Sequence, residues 1–238
     1  MDRKYDAFIL DVDNTILDTN NHFRKAQRSM LEPLENRGVI EDADNHIRKL
    51  REIDTQIAEL EGKNEYEFRK LSRALALFYL EDIEKESAVT NRDDETSYDD
   101  YVETATNNFY TKLNSPHEIY PDFFDIYKEL KDFDSVSVIA FSEGEQKRVV
   151  GELEHHSVID IFEDVITGDK NPESFSDIRE RFSIMNGLVV GDSLRSDIMP
   201  ANKAGFTTVH KPAGFCEDDA DIEPDFEISR ISELKSLM

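Results

Sequence analysis

The feature that most constrains the fold is a series of short apolar segments, most of which run directly into polar or charged side chains. The clearest segments are residues 5–11, 135–141, 164–167 and 188–192, and two weaker ones are residues 206–209 and 225–228. Helical sequence separates them, near residues 121–131, 144–155, 173–183 and 195–204. Strands that alternate with helices are typical of a parallel sheet with helices on both faces. The sequence therefore predicts an α/β, Rossmann-like core, whose ligands would bind at the carboxyl ends of the strands.

Residues 18–118 interrupt this alternation, because they contain no good strand and their apolar side chains recur at helical spacing. Four apolar stripes are present, and they run over residues 23–34, 47–60, 68–78 and 98–109. Gly38 follows the first stripe, where a helix would need a left-handed cap. Each stripe predicts one helix. We therefore expect a four-helix domain of residues 18–118, inserted into an α/β core domain of residues 1–17 and 119–238.

Composition narrows the range of partners and compartments. The net charge is −25, since 53 acidic residues oppose 28 basic ones. Such a chain would repel nucleic acid and anionic membrane surfaces, and no stretch approaches the ~20 apolar residues that cross a bilayer. A single cysteine, Cys216, and an N-terminus without a signal-peptide pattern lead us to expect a cytoplasmic protein. The acid excess also raises the hypothesis of adaptation to high salt.

Two carboxylates, Asp11 and Asp13, follow the first predicted strand. Side chains two residues apart in an extended chain point the same way, so these two carboxylates lie close together. Like charges repel unless one is protonated or a cation lies between them. Mg²⁺ prefers such hard oxygen ligands, and the pair also suits covalent catalysis, in which one carboxylate attacks and its neighbour shuttles a proton. By itself, the pattern is explained equally well by a turn with acidic caps.

Polar side chains also follow the next three strands. Ser142 stands where a hydroxyl and free backbone N–H groups can hold a phosphate oxygen, although an ordinary helix N-cap explains it better in isolation. Lys170 follows the third strand and can bind an anion as a point charge, but most lysines are simply solvated. Asp192 follows the fourth strand, in the position of a metal ligand. Asp197 comes five residues later, where capping of a helix is a credible alternative explanation, more so than for Asp192.

Taken together, these residues resemble the haloacid dehalogenase-like hydrolases. That family shows the pattern hhhhDxDxT, then a strand ending in Ser or Thr, then a Lys, then hhhhGDxxxxD, where h is an apolar residue. The matching residues here are Phe8-Ile9-Leu10-Asp11-Val12-Asp13-Asn14-Thr15, Ser142, Lys170 and Val189-Val190-Gly191-Asp192 through Asp197. In many relatives proline follows the lysine directly, whereas Asn171 intervenes here. The resemblance covers the α/β part of the chain.

The resemblance implies a phosphatase that hydrolyses a small phosphorylated metabolite and uses Mg²⁺. Asp11 would attack phosphorus and form an aspartyl-phosphate, and Asp13 would protonate the leaving oxygen and then activate water. Ser142 and Lys170 would bind the transferring phosphoryl group. The metal ligands that it implies are Asp11, the backbone carbonyl of Asp13, and Asp192, with Asp197 close by or acting through water. The inserted helices resemble the cap of many relatives, from which we expect substrate recognition.

Other functions stay open at this point. A sugar phosphomutase uses the same paired aspartates, and product analysis would separate isomer from free phosphate. A true dehalogenase is disfavoured, since it needs the nucleophile but no metal site and would leave Asp13 without a role. A binding protein that lost catalysis is disfavoured because every position of the pattern is filled. An acidic, salt-adapted structural protein would have dispersed carboxylates rather than carboxylates at strand ends.

Overall fold

The computed structural model describes residues 4–61, 67–90, 98–132, 136–213 and 221–238, with the backbone alone for residues 81–90. The chain divides into two compact units. One, the core unit, consists of the residues up to Asn20 together with Pro116–Met238. The other, the helical unit, consists of Asn21–Ser115. In the part of the chain that is described, no helix is both long and apolar enough to cross a membrane.

Among the described residues, strands and helices alternate in the core unit, and the helical unit contains helices without strands. The strands are β1 (Ala7–Leu10), β2 (Ser137–Ser142), β3 (Asp164–Thr167), β4 (Gly187–Gly191), β5 (Thr207–His210) and β6 (Phe226–Glu227). The α-helices are α1 (Thr19–Ser29), α2 (Glu32–Asn36), α3 (Ile47–Glu61), α4 (Arg69–Thr90), α5 (Tyr98–Leu113), α6 (Phe123–Lys131), α7 (Gln146–His155), α8 (Pro172–Arg181) and α9 (Met199–Lys203). Short 3₁₀ helices cover Ala43–His46, Ile159–Ile161 and Ile231–Ser236.

The six strands form one sheet in the order β3-β2-β1-β4-β5-β6, and every neighbouring pair is parallel. Alternate side chains of a strand point to opposite faces. Phe8 and Leu10 of β1 pack on one face with residues of α6 and α7, whereas Ala7 and Ile9 pack on the other with residues of α8 and α9. The predicted α/β core, with a parallel sheet between two layers of helices, is confirmed.

The helical unit has its own apolar core, to which α1–α5 all contribute. The stripe predicted as one helix over residues 23–34 is divided between α1 and α2, and the single helix was therefore wrong. Pro33 lies in the first turn of α2, where the missing N–H and fixed φ of proline are tolerated, whereas inside a longer helix they would break it. After α2, Gly38 takes the predicted left-handed conformation, with φ of 70°.

Candidate active site

The parallel sheet brings the ends of β1, β2 and β4 to one edge. β1 lies between β2 and β4, with Leu10 paired in register to Ala140 on one side and Val190 on the other. Asp11 follows Leu10 directly, and its backbone N–H donates to the Val190 carbonyl at 2.9 Å. The sheet thus places Asp11 between the ends of its neighbours, which carry Ser142 and Asp192. This is the strand-end convergence on which the sequence prediction depended.

Lys170 lies buried between two carboxylates. Its Nζ donates to Asp11 Oδ1 and, at 2.6 Å, to Asp197 Oδ1. The three side chains are only 4%, 6% and 2% exposed, for Lys170, Asp11 and Asp197 respectively. Burial lowers the pKa of Lys170, but the two carboxylates outweigh burial and raise it, so this ammonium stays charged. The loop that carries Lys170 ends at Asn171, whose side chain caps α8 by accepting from Ser174 N at 2.9 Å.

Asp11, Asp192 and Asp197 form a cluster in which one ligand oxygen from each lies within 4.8 Å of the others. Burial raises the pKa of Asp11 well above its ordinary value, and Asp197 and Asp192 add to this against the pull of Lys170. Burial, followed by the charge of Asp197, raises the pKa of Asp192 to about 7. Crowded, buried carboxylates of this kind are stabilised by a cation. Among the described residues, Asp11 Oδ2 is buried and has no hydrogen-bond partner. This all-oxygen set fits a hard cation such as Mg²⁺.

A π-helical turn over Leu194–Ile198 carries Asp197 back to the strand end. The turn begins after Ser193, whose hydroxyl accepts from Ser196 N at 3.2 Å. Ser193 N in turn donates to Asp197 Oδ2 at 3.0 Å. The capping explanation for Asp197 is therefore true in part, since one of its oxygens satisfies a backbone N–H at the start of the turn. Its other oxygen bonds to Lys170 and leaves the residue within the carboxylate cluster.

Asp13 is held by different partners. Arg148 binds it through both terminal nitrogens, Nη1 to Oδ1 at 3.1 Å and Nη2 to Oδ2 at 2.5 Å. Thr19 Oγ1 donates to Oδ1 at 2.7 Å, and Ser142 Oγ donates to Oδ2 at 3.2 Å. Burial raises the pKa of Asp13, but hydrogen bonds and charge from Arg148 outweigh it, and the pKa lies below its ordinary value. Sequence reasoning identified Asp13 and Ser142 but missed Arg148 and Thr19.

A third missed residue is Lys211, which follows β5. Its side chain is buried, and Nζ donates to the backbone carbonyl of Asn14 at 2.8 Å. Nζ also lies 3.8 Å from the centre of the Tyr120 ring. Burial lowers the pKa of Lys211, although nearby carboxylates, with Asp192 the largest contributor, act in the opposite direction. Asn14 has a positive φ of 61°, and Lys211 supports this turn directly after Asp13.

The relationship of the chain to known proteins agrees with this geometry. A sequence model of the haloacid dehalogenase-like hydrolases matches residues 5–205. The chain belongs to the haloacid dehalogenase-like hydrolases. The match covers most of the chain and includes Asp11, Asp13, Ser142, Lys170, Asp192 and Asp197. A search of curated proteins finds no significant match.

Several solved structures share the fold of this haloacid dehalogenase-like hydrolase. The magnesium-bound YfnB of Bacillus subtilis is 20% identical with a TM-score of 0.59, and the alignment covers 98% of each chain. A predicted phosphoglycolate phosphatase from Haemophilus somnus is 17% identical, with a TM-score of 0.58 and coverage of 100% and 99%. A 2-haloacid dehalogenase from Pseudomonas syringae is 19% identical, with a TM-score of 0.52 and coverage of 97% and 96%. At these identities, the similarity shows the fold alone.

Proposed function

We propose that this hydrolase is a Mg²⁺-dependent phosphatase that cleaves a small phosphate monoester through an aspartyl-phosphate on Asp11. The observation that carries the proposal is the asymmetric environment of the Asp11 carboxylate. Lys170 holds Oδ1, whereas Oδ2 has no hydrogen-bond partner among the described residues. One oxygen is thus fixed while the other keeps its lone pairs for attack on phosphorus.

Two half-reactions follow from this arrangement. In the first, Asp11 Oδ2 forms a bond to phosphorus, the bond from phosphorus to the leaving oxygen breaks, and Asp13 gives that oxygen a proton. In the second, water forms a bond to phosphorus, the bond to Asp11 breaks, and Asp13 takes a proton from the water. Ser142 and Lys170 hold phosphoryl oxygens throughout. Asp13 ends as it began, and the net products are an alcohol and phosphate.

A cation has a defined place in this proposal. Asp11, the backbone carbonyl of Asp13, and Asp192 would hold Mg²⁺, with Asp197 close by. The ion would supply positive charge beside the transferring phosphoryl group, since phosphoryl transfer depends mainly on positioning and charge neutralisation. Lys170 supports the same neutralisation. Both cations would offset the repulsion that an anionic substrate meets from a chain of net charge −25.

Asp13 has to be protonated for the first half-reaction, although Arg148 favours its ionised form. The arrival of a phosphate dianion beside Asp13 favours the neutral acid, because like charges raise the pKa of a carboxyl group. In the second half-reaction Asp13 has to be ionised, and the two hydrogen bonds from Arg148 favour this form. The surroundings of Asp13 therefore favour its protonated form in the first half-reaction and its ionised form in the second.

Proteins that share this fold have different activities, so a phosphatase has to be distinguished from a dehalogenase. The fold is shared with a 2-haloacid dehalogenase and with a predicted phosphoglycolate phosphatase. In a dehalogenase, neither Asp13 nor the carboxylates of Asp192 and Asp197 would have a role. A phosphatase uses Asp13 as acid and base and the carboxylate cluster as a metal site. The magnesium bound in the YfnB structure supports the metal part of the proposal. Recognition of a small phosphorylated metabolite by the helical unit, and residence in the cytoplasm, stay predictions.

The test is hydrolysis of 4-nitrophenyl phosphate with Mg²⁺ and with EDTA. We expect turnover that requires the metal and disappears in Asp11→Asn, together with a covalent phosphate on wild-type Asp11 detectable by mass spectrometry after acid quenching. Asp125→Asn is the matched control, since it removes one exposed carboxylate from α6 of the core unit. Full activity in Asp11→Asn would refute the mechanism. Conversion of a sugar phosphate to its isomer, without release of phosphate, would identify a phosphomutase instead.

A further inference from the structure

The Asp13 carboxylate has no free acceptor position. It accepts four hydrogen bonds, two from Arg148, one from Thr19 and one from Ser142. Two carboxylate oxygens offer about four lone-pair sites, so all of them are occupied. Neither a leaving-group oxygen nor a water can exchange a proton with Asp13 until one partner moves away. The identity of that partner determines how the site works.

Ser142 is the partner that is easiest to release. Its bond to Asp13 Oδ2 is the longest of the four, at 3.2 Å. Gly144 N donates to the Ser142 hydroxyl at 2.9 Å, which fixes the oxygen in place. The hydroxyl proton can still turn about a single bond. Ser142 can therefore redirect its proton from Asp13 to a phosphoryl oxygen without moving its own oxygen.

Arg148 is held far more firmly than Ser142. Its planar guanidinium makes two charge-assisted bonds to the two oxygens of Asp13, a geometry that is strong and sets the plane of the carboxylate. The loop after β2 is shaped around it. A Cβ on Gly144 would lie closer than 3.0 Å to Arg148 Nη2 and 3.1 Å from Cζ. The absence of a side chain at Gly144 thus gives the guanidinium its path to Asp13.

We propose that Arg148 is a positioning residue for the reaction. Together with Thr19, it keeps the Asp13 carboxylate fixed while the Ser142 hydroxyl turns to the phosphoryl group. Oδ2 of Asp13 then becomes accessible to the leaving oxygen and later to water. The exchange breaks one hydrogen bond and forms another, with no change in covalent bonds. This inference rests on the proposed phosphatase activity.

The test compares kcat/KM for two substrates, 4-nitrophenyl phosphate, whose leaving group needs little protonation, and an alkyl phosphate, whose leaving group needs a proton. In Arg148→Gln we expect kcat/KM for the alkyl phosphate to fall by about 100-fold, the lower range for loss of general acid catalysis. For 4-nitrophenyl phosphate, kcat/KM should change less than about threefold, since the first half-reaction then depends little on Asp13. Arg148→Lys should restore only part of the loss, because lysine cannot bind both oxygens in a fork.

Lys147→Gln is the matched control, since it removes an exposed cation one residue away on the same helix. Gly144→Ala is a second variant, which displaces the guanidinium and keeps its charge, and it should give the same substrate dependence. An equal fall of kcat/KM for both substrates would overturn the inference and show that Arg148 binds the substrate. Unchanged kcat/KM for both substrates would also overturn the inference, and would show that the contact between Arg148 and Asp13 is only a surface ion pair. Wild-type protein inactive on both substrates would instead refute the proposed function.

Discussion

Gly191 lies directly against the side chain of Asp197. A Cβ atom at Gly191 would approach Cβ, Cγ and Oδ2 of Asp197 more closely than 3.0 Å, a separation that real Cβ atoms essentially never show. Gly191 ends β4, and Asp197 belongs to the π-helical turn that follows. The missing side chain therefore allows Asp197 to fold back over the strand end, where it joins Asp11 and Asp192.

Gly191→Ala should displace Asp197 and loosen the carboxylate cluster. We expect the free energy of unfolding to fall by about 1–3 kcal/mol, as for other overpacked sites, and Mg²⁺ affinity to fall at least tenfold, which isothermal titration calorimetry would measure. Gly151→Ala on α7 is the matched control. Apart from its chain neighbours and the backbone of its own helix, no heavy atom of the described residues lies within 4 Å of the added methyl there. Alanine also favours the helix by up to about 1 kcal/mol. Equal Mg²⁺ affinity in the two variants would contradict this account of Gly191.

The crowded carboxylates predict an unusual dependence of stability on pH in metal-free protein. Burial and Asp197 raise the pKa of Asp192 to about 7, against an ordinary value of 3.8. Between these values the folded protein holds a proton that the unfolded chain has lost, so the free energy of unfolding falls as pH rises from about 4 to 7. Because Asp192 is only partly buried, we expect a contribution of about 2 kcal/mol. Urea denaturation in EDTA at several pH values would measure it.

Asp192→Asn separates this contribution from the rest of the acidic surface. The variant cannot titrate at this position, so its stability should fall less steeply with pH than that of the wild type. Mg²⁺ should stabilise the wild type more at pH 7.5 than at pH 5, because protons compete with the cation for the same carboxylates. Identical pH profiles for variant and wild type would refute the assignment of the raised pKa to Asp192.

The sheet and the strand-end residues could be predicted from sequence because both depend on local patterns. Buried strands of a parallel sheet are read as apolar runs, and their carboxyl ends meet at one edge. Asp11, Ser142 and Asp192 could therefore be placed near each other without knowledge of side-chain positions. The position of Asp197 was harder to predict from the sequence, because it depends on a π-helical turn that a sequence pattern does not reveal.

Arg148 and Lys211 could not be predicted in this way. Arg148 lies in a helix beside other charged residues, and its direction depends on the space that Gly144 leaves. Lys211 follows β5, the strand next to the edge of the sheet. Its local sequence does not distinguish it from a solvated lysine, because only the tertiary structure buries it. In the helical unit, Phe78 fits the apolar stripe over residues 68–78, yet it is 54% exposed. The apolar periodicity of that stripe predicted the helix correctly, but the expectation that Phe78 lies on its buried face was wrong.

Lys211 should matter for stability because it satisfies a backbone carbonyl at the active-site turn. Lys211→Met keeps much of the apolar stem but leaves the Asn14 carbonyl without this donor. We expect the free energy of unfolding to fall by about 1–3 kcal/mol, the cost of a buried polar group that loses its partner. Lys203→Met, at an exposed position on α9, is the matched control and should change stability by less than about 0.5 kcal/mol. Equal effects of the two substitutions on chemical denaturation would show that the bond to Asn14 is unimportant.

The acid excess of the chain predicts that salt stabilises the fold. With a net charge of −25, self-repulsion opposes the compact state. The screening length is about 10 Å at 0.1 M salt and about 3 Å at 1 M, so this repulsion is largely removed over that range. Urea denaturation in EDTA should therefore give a free energy of unfolding that rises from 0.1 M to 1 M KCl. The rise should persist in Asp192→Asn, because it comes from the whole surface rather than from the carboxylate cluster. A value that stays level or falls with KCl would exclude self-repulsion as a main determinant of stability, and with it the hypothesis of adaptation to high salt.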